Sequence, residues 1–192
     1  MAKDQTRDKI LIVASRMFGR YGFRKTTVDE IARTAHKAKG SVYYYFTSKE
    51  DLFLAVVNQE ISVLKTGLAR IITENQDATG MIRNYLVSRM ILMKDAVNYH
   101  ESLKADFEED FSFLNDCRQE FTRFEIDLMK AILDRGVREN KFRIKDTHAT
   151  AQVIVLAVKA IEIPFYQQHK IAEYEHTIVE LLDILIRGLE NS

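Results

Sequence analysis

A short segment between residues 37 and 49 concentrates side chains that could bind a polyanion. They include three lysines, Lys37, Lys39 and Lys49, and the hydroxyl-bearing residues Ser41, Tyr43 and Tyr44. Lysines that neutralise phosphates release counterions and supply affinity, whereas hydroxyls and an aromatic ring can distinguish base edges. The segment therefore predicts a nucleic-acid interface, with Tyr44 on a phosphate and with Ser41 and Tyr43 reading bases.

Local signals predict the helices that would position this segment. The first helix begins at residue 6 or 8 and ends near residue 21, because apolar residues recur at helical spacing and Gly22 follows as a left-handed cap. Thr27 and Glu30 form a T-x-x-E capping box that opens a second, short helix. The amides at the start of this second helix, with Thr27, are suited to a phosphate.

A tight turn and a third helix complete the predicted interface. The turn is His36-Lys37-Ala38, and the third helix covers residues 39 to 46 with Val42, Tyr45 and Phe46 on its apolar side. Gly40 has no side chain, so the backbone there can approach a duplex closely. Two short helices across a three-residue turn predict a helix-turn-helix.

The rest of the chain reads as helical. A long fourth helix is expected from about residue 49 to residue 73, and the breaks after residue 75 separate roughly five more helices. No alternation typical of strands and no internal repeat is present. We therefore expect an all-α fold of about nine helices, with an N-terminal domain at 1–50 and a C-terminal domain at 51–192.

Charge is distributed unevenly along the chain. The 192 residues include 28 Lys and Arg and 28 Asp and Glu, which gives a net charge of zero. Residues 1–50 carry 11 of the basic and 5 of the acidic residues, leaving 17 and 23 in the remainder. This asymmetry favours a basic module that binds nucleic acid, attached to an acidic body, over chance clustering of charges on solvated faces.

Other function classes find little support in the sequence. Cys117 is the one cysteine, and no HExxH, GxSxG, phosphate-binding glycine loop or CxxC motif occurs, so we expect no enzyme, no cofactor and no metal. His100, Glu101, Asp106 and the acids at 108–110 could be read as metal ligands, but without dense His or Cys spacing the acids are interpreted as solvated side chains. A polar start and the absence of a long uninterrupted apolar stretch predict a cytoplasmic protein without a membrane partner.

The run Thr26-Thr27-Val28-Asp29-Glu30-Ile31-Ala32, with Lys39-Gly40-Ser41-Val42-Tyr43-Tyr44-Tyr45-Phe46 and Ser48-Lys49-Glu50-Asp51-Leu52-Phe53, resembles the DNA-binding domain of the TetR family of bacterial repressors. The resemblance covers about residues 7–57. It implies that residues 39–46 form the recognition helix, that Tyr43 and Tyr44 touch DNA, and that Lys49 meets a phosphate. It also implies a homodimer with a ligand-binding body. We therefore expect a repressor that a small, largely apolar effector releases from a palindromic double-stranded operator. A constitutive DNA-binding protein or an activator without an effector is the alternative.

The sequence departs from the family pattern in the turn. Family members often carry a glycine and a capping serine where this chain has His36 and Ala38. Histidine tolerates positive φ better than most residues, so we expect the fold to survive with an altered base preference. Core packing is the competing interpretation of the three tyrosines. We adopt it for Tyr45, whose spacing from Val42 turns the ring inward, and keep the DNA interpretation for Tyr43 and Tyr44.

Residues 149–160 predict a dimer interface, because this helix is apolar on nearly every side and must be covered twice. We expect it to form an intermolecular four-helix bundle with the final helix. The predicted interface residues are Ile154, Val158, Ile161, Ile178, Leu182 and Leu185. The alternative is a central helix fully buried within a monomer.

Aromatic residues and methionines in the body predict an apolar ligand site near a kink at Pro164. The predicted pocket residues are Tyr85, Arg89, Met93, Phe107, Phe111, Phe121, Phe124, Glu162 and Phe165. Plain core packing explains many of them equally well. Arg89 stands out because it lies on the apolar face of its helix, where an unpaired charge is costly. We expect it to pair with an acid from Asp106 to Asp116, or to bind an anionic group of the ligand.

Overall fold

The computed structural model describes residues 2–73, 77–104, 111–167 and 171–190. Within these ranges the chain forms nine α-helices and no strand, which confirms the all-α class. The helices are α1 Ala2–Tyr21, α2 Val28–Thr34, α3 Lys39–Tyr45, α4 Lys49–Thr73, α5 Ala78–Met93, α6 Val97–Lys104, α7 Asn115–Arg138, α8 Thr147–Gln167 and α9 Ile171–Leu189. A 3-10 turn, Ser112–Leu114, precedes α7.

The chain divides into two compact units. The first unit is Met1–Ser62 together with Ala96–Asn115, and the second unit is Val63–Asp95 together with Asp116–Ser192. This division places α6 in the same unit as the N-terminal helices, and it splits α4 between the two units. The boundary at residue 50 was predicted from local signals, which carry no information about the long-range contacts that place residues 96–115 in the first unit.

The first unit begins with α1, whose inward side is Ile10, Ala14 and Phe18. Gly22 ends this helix at φ +82°, a left-handed conformation that costs glycine little, and its N–H donates to the carbonyl of Phe18 at 2.8 Å. The buried hydroxyl of Thr26 donates to the Gly22 carbonyl at 2.9 Å. The predicted end of the first helix is confirmed, and α1 starts earlier than expected, at Ala2.

Helices α2 and α3 form the expected pair across a tight turn. Thr27 caps α2, and the capping box with Glu30 is complete in both directions. His36 adopts φ +54°, so the histidine does take the left-handed position of the turn. Ala38 is the N-cap residue of α3, and its methyl side chain makes no capping hydrogen bond. Helix α3 ends at Tyr45.

Helix α4 starts with a side-chain cap and contributes residues to both units. The Ser48 hydroxyl accepts from the Asp51 N–H at 3.0 Å, and the Asp51 carboxylate accepts from the Thr47 N–H at 2.7 Å. Ser48 and Asp51 therefore cap the start of α4. The stretch Lys49–Ile72 is long enough to span a membrane, and its mean hydropathy of 1.2 also meets that criterion. Core helices such as this one meet the same criterion. Its inward side is buried protein core, through Leu52, Phe53, Val56, Val57, Leu64 and Leu68.

The second unit is built from the end of α4 and helices α5, α7, α8 and α9. Asp77 caps α5 by accepting from the Gly80 N–H at 2.7 Å, and Glu139, beyond the end of α7, accepts from the Ala78 N–H at 3.1 Å. Where the chain leaves α7, Phe142 packs directly on Gly136, and a Cβ atom at Gly136 would lie 1.9 Å from Cδ2 of that ring. A side chain at position 136 is therefore incompatible with this packing.

Candidate nucleic-acid interface

Helix α3 has a buried side and an exposed side. Val42, on the helix, and Phe46, immediately after it, are almost fully buried, whereas Tyr43 and Tyr44 keep 45% and 62% of their surface exposed. Tyr45 is half-buried and contacts the Tyr44 ring edge-on, at 5.0 Å between centroids. The helix therefore presents two tyrosine hydroxyls to solvent on a surface anchored by apolar residues, as the spacing of the three tyrosines predicted.

Lys39 and Tyr43 lie on the outer surface of α3 together with an acid that sequence reasoning did not include. The Lys39 ammonium contacts both carboxylate oxygens of Asp29 at 3.0 Å and lies 5.9 Å from the centroid of the Tyr43 ring. The hydrogen bond with Asp29 raises the pKa of Lys39. Asp29 comes from the first turn of α2, so this exposed ion pair joins the two helices across the turn.

Two other predicted phosphate ligands are engaged within the first unit. The Lys37 ammonium donates to the Thr6 hydroxyl at 3.2 Å. The Lys49 ammonium donates to the carbonyl of Phe23 at 3.0 Å and lies 4.2 Å from the centroid of that ring. Both lysines are half-buried in these arrangements, so they can reach a phosphate only by exchanging or sharing these contacts.

Gly40 and Thr27 mark two places where backbone could meet a duplex. A Cβ atom at Gly40 would have no atom within 4 Å, so this part of α3 faces open space. The Thr27 hydroxyl and N–H both donate to the Glu30 carboxylate, at 2.8 and 2.9 Å. Those hydrogen bonds lower the pKa of Glu30. Ser41 is half-buried beside Gly40.

The residues predicted to line a ligand pocket separate into different environments. Tyr85, Arg89 and Glu162 meet in the second unit, all fully buried or nearly so, and they meet around Glu125, which the sequence prediction missed. The Arg89 Nε donates to Glu125 at 2.6 Å and its Nη1 donates to Glu162 at 2.7 Å, while the Tyr85 hydroxyl donates to Glu125 at 2.9 Å. Burial raises the pKa of Tyr85 well above its usual range.

Lys159 adds a second positive charge to this buried cluster. Its ammonium lies 3.6 Å from the Glu125 carboxylate, donates to the Thr122 hydroxyl at 2.5 Å, and is 5.5 Å from the centroid of Phe121. Burial lowers the pKa of Lys159. We call Tyr85, Arg89, Glu125, Lys159 and Glu162 the buried charge cluster. Its two basic and two acidic groups join α5, α7 and α8.

The described partners of Arg89 are two glutamates outside the predicted range, Glu125 and Glu162. The predicted acids at 106–110 lie outside the described residues. Those two glutamates lie 36 and 73 residues further along the chain, and helix packing alone brings them to Arg89. Nothing in the local sequence marks either as its partner.

The remaining predicted pocket residues lie in several places. Phe121 stacks on Phe124 in the second unit, with 6.4 Å between ring centroids, and Met93 is fully buried there. Phe111 instead belongs to the first unit, where its ring packs on Phe53. Phe107 and the side chain of Phe165 lie outside the described residues. Among the side chains that are described, no group of three or more His, Cys, Asp or Glu is placed to hold a metal.

The predicted dimer interface also needs correction. Ile154, Val158, Ile178 and Leu182 are each at most 2% exposed in the single chain, so they form its own core. Ile161 and Leu185 are half-buried. Among the described side chains of α8 and α9, the large apolar ones that stay exposed are Val153, Leu156, Val179 and Ile184. Periodicity correctly indicated that α8 is apolar on several sides, but it could not say which side the chain covers by itself.

Comparison with known proteins agrees with the helix-turn-helix. Residues 10–56 match the family model described as bacterial regulatory proteins, tetR family. Over 186 residues the chain is 26% identical to the HTH-type transcriptional regulator QacR of Staphylococcus aureus, covering 95% of this chain and 97% of that protein. It is also 26% identical over 191 residues to the HTH-type transcriptional repressor NicS of Pseudomonas putida, covering 94% of this chain and 84% of NicS.

Solved structures share the fold along almost the whole chain. A transcriptional regulator from Cytophaga hutchinsonii superposes with a TM-score of 0.82 at 23% identity, covering 95% of this chain and 97% of that one. FadR of Bacillus subtilis, in complex with stearoyl-CoA, superposes with a TM-score of 0.74 at 17% identity, covering 94% and 97%. The helix-turn-helix of α2 and α3 lies within the matched residues 10–56, so the chain carries a DNA-binding domain of the tetR type, and along almost its whole length it is similar to HTH-type transcriptional regulators.

Proposed function

We propose that the protein is a cytoplasmic, homodimeric repressor that leaves a palindromic operator when a small, largely apolar effector binds the second unit. The outer surface of α3 carries this proposal: Tyr43 and Tyr44 are exposed beside Lys39, and Gly40 leaves the backbone open. A surface of this kind can enter a major groove and contact both base edges and phosphates.

In the proposed complex, Ser41 and Tyr43 contact bases, and Tyr44 contacts a phosphate. Thr27 and the start of α2 also approach the backbone, together with the three lysines of the interface. Lys49 enters the complex from its contact with the Phe23 carbonyl, and Lys39 from its ion pair with Asp29. DNA binding therefore replaces contacts of these lysines within the protein by contacts with phosphates. The affinity for DNA then depends on the balance of charges in the first unit.

The proposed dimer uses the uncovered apolar sides of α8 and α9. Val153 and Leu156 on α8, and Ile184 on α9, are between 56% and 68% exposed in the single chain. Large apolar side chains left exposed in a single chain are covered when they lie in a subunit interface. A two-fold dimer would place its recognition helices in successive major grooves, with half-site centres about 34 to 36 Å apart or a little more.

The proposed effector site lies near the buried charge cluster. An apolar molecule with an acidic group would compete with Glu125 or Glu162 for Arg89, the first choice of anchor. Structural likeness supports a ligand in this kind of body, since FadR of Bacillus subtilis has the same fold and holds stearoyl-CoA. Helix α4 contributes residues to both units, and in this proposal it carries the effect of the ligand to the first unit.

The DNA-binding half is tested by selecting duplexes from a random library with the wild-type protein and measuring affinity against salt. We expect a steep log–log slope, close to 0.9 for each phosphate neutralised. Tyr43→Ala should change the preferred bases, whereas Lys49→Ala should weaken all sequences alike. The recognition-helix assignment fails if Tyr43→Ala leaves both affinity and preference unchanged.

The effector and dimer halves need separate measurements. Palmitate, salicylate and tetraphenylphosphonium are added to the complex with the selected duplex, and we expect one class to weaken binding by roughly 5- to 150-fold. If none does, the constitutive alternative is favoured. Sedimentation should show a dimer at micromolar concentration, and Leu156→Glu or Ile184→Glu should yield monomers that retain the helical circular dichroism spectrum.

A further inference from the structure

Helix α6 starts without a cap of its own. Ala96 precedes its first residue, and the Ala96 carbonyl accepts the first helical hydrogen bond, from the His100 N–H at 3.0 Å. An alanine side chain cannot accept from the open N–H groups of a first turn. Glu60 of α4 accepts instead, from the Asn98 N–H at 3.3 Å and the Tyr99 N–H at 2.8 Å. The cap of α6 therefore comes from another helix of the first unit.

Asn98 extends this contact to a third helix. Its side-chain amide donates to the Glu60 carboxylate at 2.7 Å and also faces the carbonyl and the hydroxyl of Ser15 on α1, at 3.2 and 3.3 Å. Asn98 is 1% exposed. Burial raises the pKa of Glu60, and the hydrogen bonds from Asn98 and Tyr99 oppose that shift. We call Ser15, Glu60, Asn98 and Tyr99 the α6 junction.

The α6 junction anchors a segment that packs in the first unit although, in the sequence, it lies between helices of the second unit. The described residues 96–104 and 111–114 lie between α5 and α7, whose residues from Asp116 onward belong to the second unit, yet these described residues are grouped with the first unit. Val97 packs on Gly19 of α1, and beyond α6 the rings of Phe111 and Phe113 pack on Phe23. Along the sequence, the chain therefore passes from the second unit to the first and then back to the second. The α6 junction lies at the start of the segment that belongs to the first unit.

We propose that Glu60 is a positioning residue for DNA binding, which sets the arrangement of α1 and α4 behind the recognition helix through the α6 junction. Helix α1 contacts both α2 and α3, and α4 follows α3 within four residues. A change in the spacing of α1 and α4 therefore moves α3. Since two recognition helices must fit one duplex, such a change costs contacts in both half-sites.

A purely structural role for Glu60 makes a different prediction. If Glu60 served only to stabilise α6, a local cap would replace it. Serine at position 96 would be the N-cap residue, and its hydroxyl could accept from the N–H of Asn98 or Tyr99, the positions that Glu60 now serves. Such a cap restores the first turn of α6 but leaves α6 and α4 unconnected. The double variant Glu60→Ala with Ala96→Ser therefore separates the two roles.

The experiment measures the affinity of each variant for the duplex selected by the wild-type protein, at a temperature where the variant is folded. The thermal unfolding midpoint of each variant and the hydrogen exchange of the α6 amides are measured alongside. Glu60→Ala should weaken binding roughly 2- to 30-fold and expose the amides of Asn98 and Tyr99 to exchange. Glu60→Gln, whose single amide oxygen can accept from Asn98 or from Tyr99 but not from both, should have an affinity between those of Glu60→Ala and the wild type. The double variant should regain α6 protection but not affinity. Gln59→Ala, on the exposed neighbouring position, is the matched control and should behave as wild type.

Two results would overturn the proposal. One is that Glu60→Ala keeps wild-type affinity although its α6 amides lose protection. The other is that the added serine restores affinity along with protection. If Glu60→Ala does not fold, Glu60→Asp replaces it, since a carboxylate one methylene shorter cannot reach both amides from the same position. Unchanged affinity in folded Glu60→Asp with unprotected amides likewise refutes the positioning role.

Discussion

Replacing Arg89 with methionine removes the one guanidinium that binds two buried carboxylates. In the native protein Arg89 is 1% exposed and contacts Glu125 at 2.6 Å and Glu162 at 2.7 Å. Methionine fills a similar space but donates no hydrogen bond. The substitution leaves two acids in the interior, with the Lys159 ammonium 3.6 Å from Glu125 as their remaining basic neighbour in the cluster.

The expected loss of stability is large. Removing one partner of a buried ion pair costs about 3 to 5 kcal/mol, because the other charge stays buried without compensation. Here two carboxylates lose a partner, so we expect the upper part of that range, or a loss of about 5 kcal/mol. Because native domains are stable by only about 5 to 15 kcal/mol, Arg89→Met should bring the second unit close to unfolding.

Urea denaturation at fixed protein concentration measures this loss, since dimerisation makes stability depend on concentration. The matched control is the triple variant Arg89→Met, Glu125→Gln, Glu162→Gln, which removes the acids together with the arginine. Replacing a whole buried cluster by neutral groups is often close to neutral, so the triple variant should recover most of the lost stability.

The reasoning fails if Arg89→Met costs less than about 1 kcal/mol, the range of an exposed pair. It also fails if the triple variant is no more stable than Arg89→Met alone, because the penalty would then not come from uncompensated carboxylates. The recovered triple variant has a second use: any effector that requires Arg89 should no longer weaken its DNA binding.

Three further changes have defined outcomes. Gly136→Ala should destabilise the second unit by about 1 to 3 kcal/mol in thermal or urea unfolding, because the new methyl group overlaps the Phe142 ring; unchanged stability would contradict that packing. Asp29→Asn should raise the affinity for non-specific DNA, because Lys39 becomes available to a phosphate. The slope of log affinity against log salt concentration should steepen by up to about 0.9 per protomer. An unchanged slope would show that Lys39 does not reach DNA. Hydrogen bonds from Thr27 lower the pKa of Glu30, so its stabilisation is present above the ordinary carboxyl pKa and is lost as pH falls. Glu30→Gln should therefore flatten the acid side of the stability profile below about pH 4.3, the ordinary glutamate value.

Features that depend on residues a few positions apart were predictable from the sequence. The capping box of Thr27 and Glu30, the left-handed Gly22 and His36, and the outward Tyr43 each follow from local chemistry. An N-cap such as Thr27 lies within three residues of the amide it serves, and the exposed side of a short helix follows from its period of 3.6 residues. The helix-turn-helix is therefore encoded locally, which explains why it was identified before any tertiary contact was known.

The tertiary structure decided every feature that joins distant parts of the chain. Glu125 and Glu162 reach Arg89 across 36 and 73 residues, and Glu60 reaches Asn98 across 38. The side of α8 that faces solvent, with Val153 and Leu156, was hidden because apolar residues surround the helix. Burial of charge and choice of packing face depend on how helices are arranged in space, and helical periodicity repeats identically whichever neighbour a helix meets.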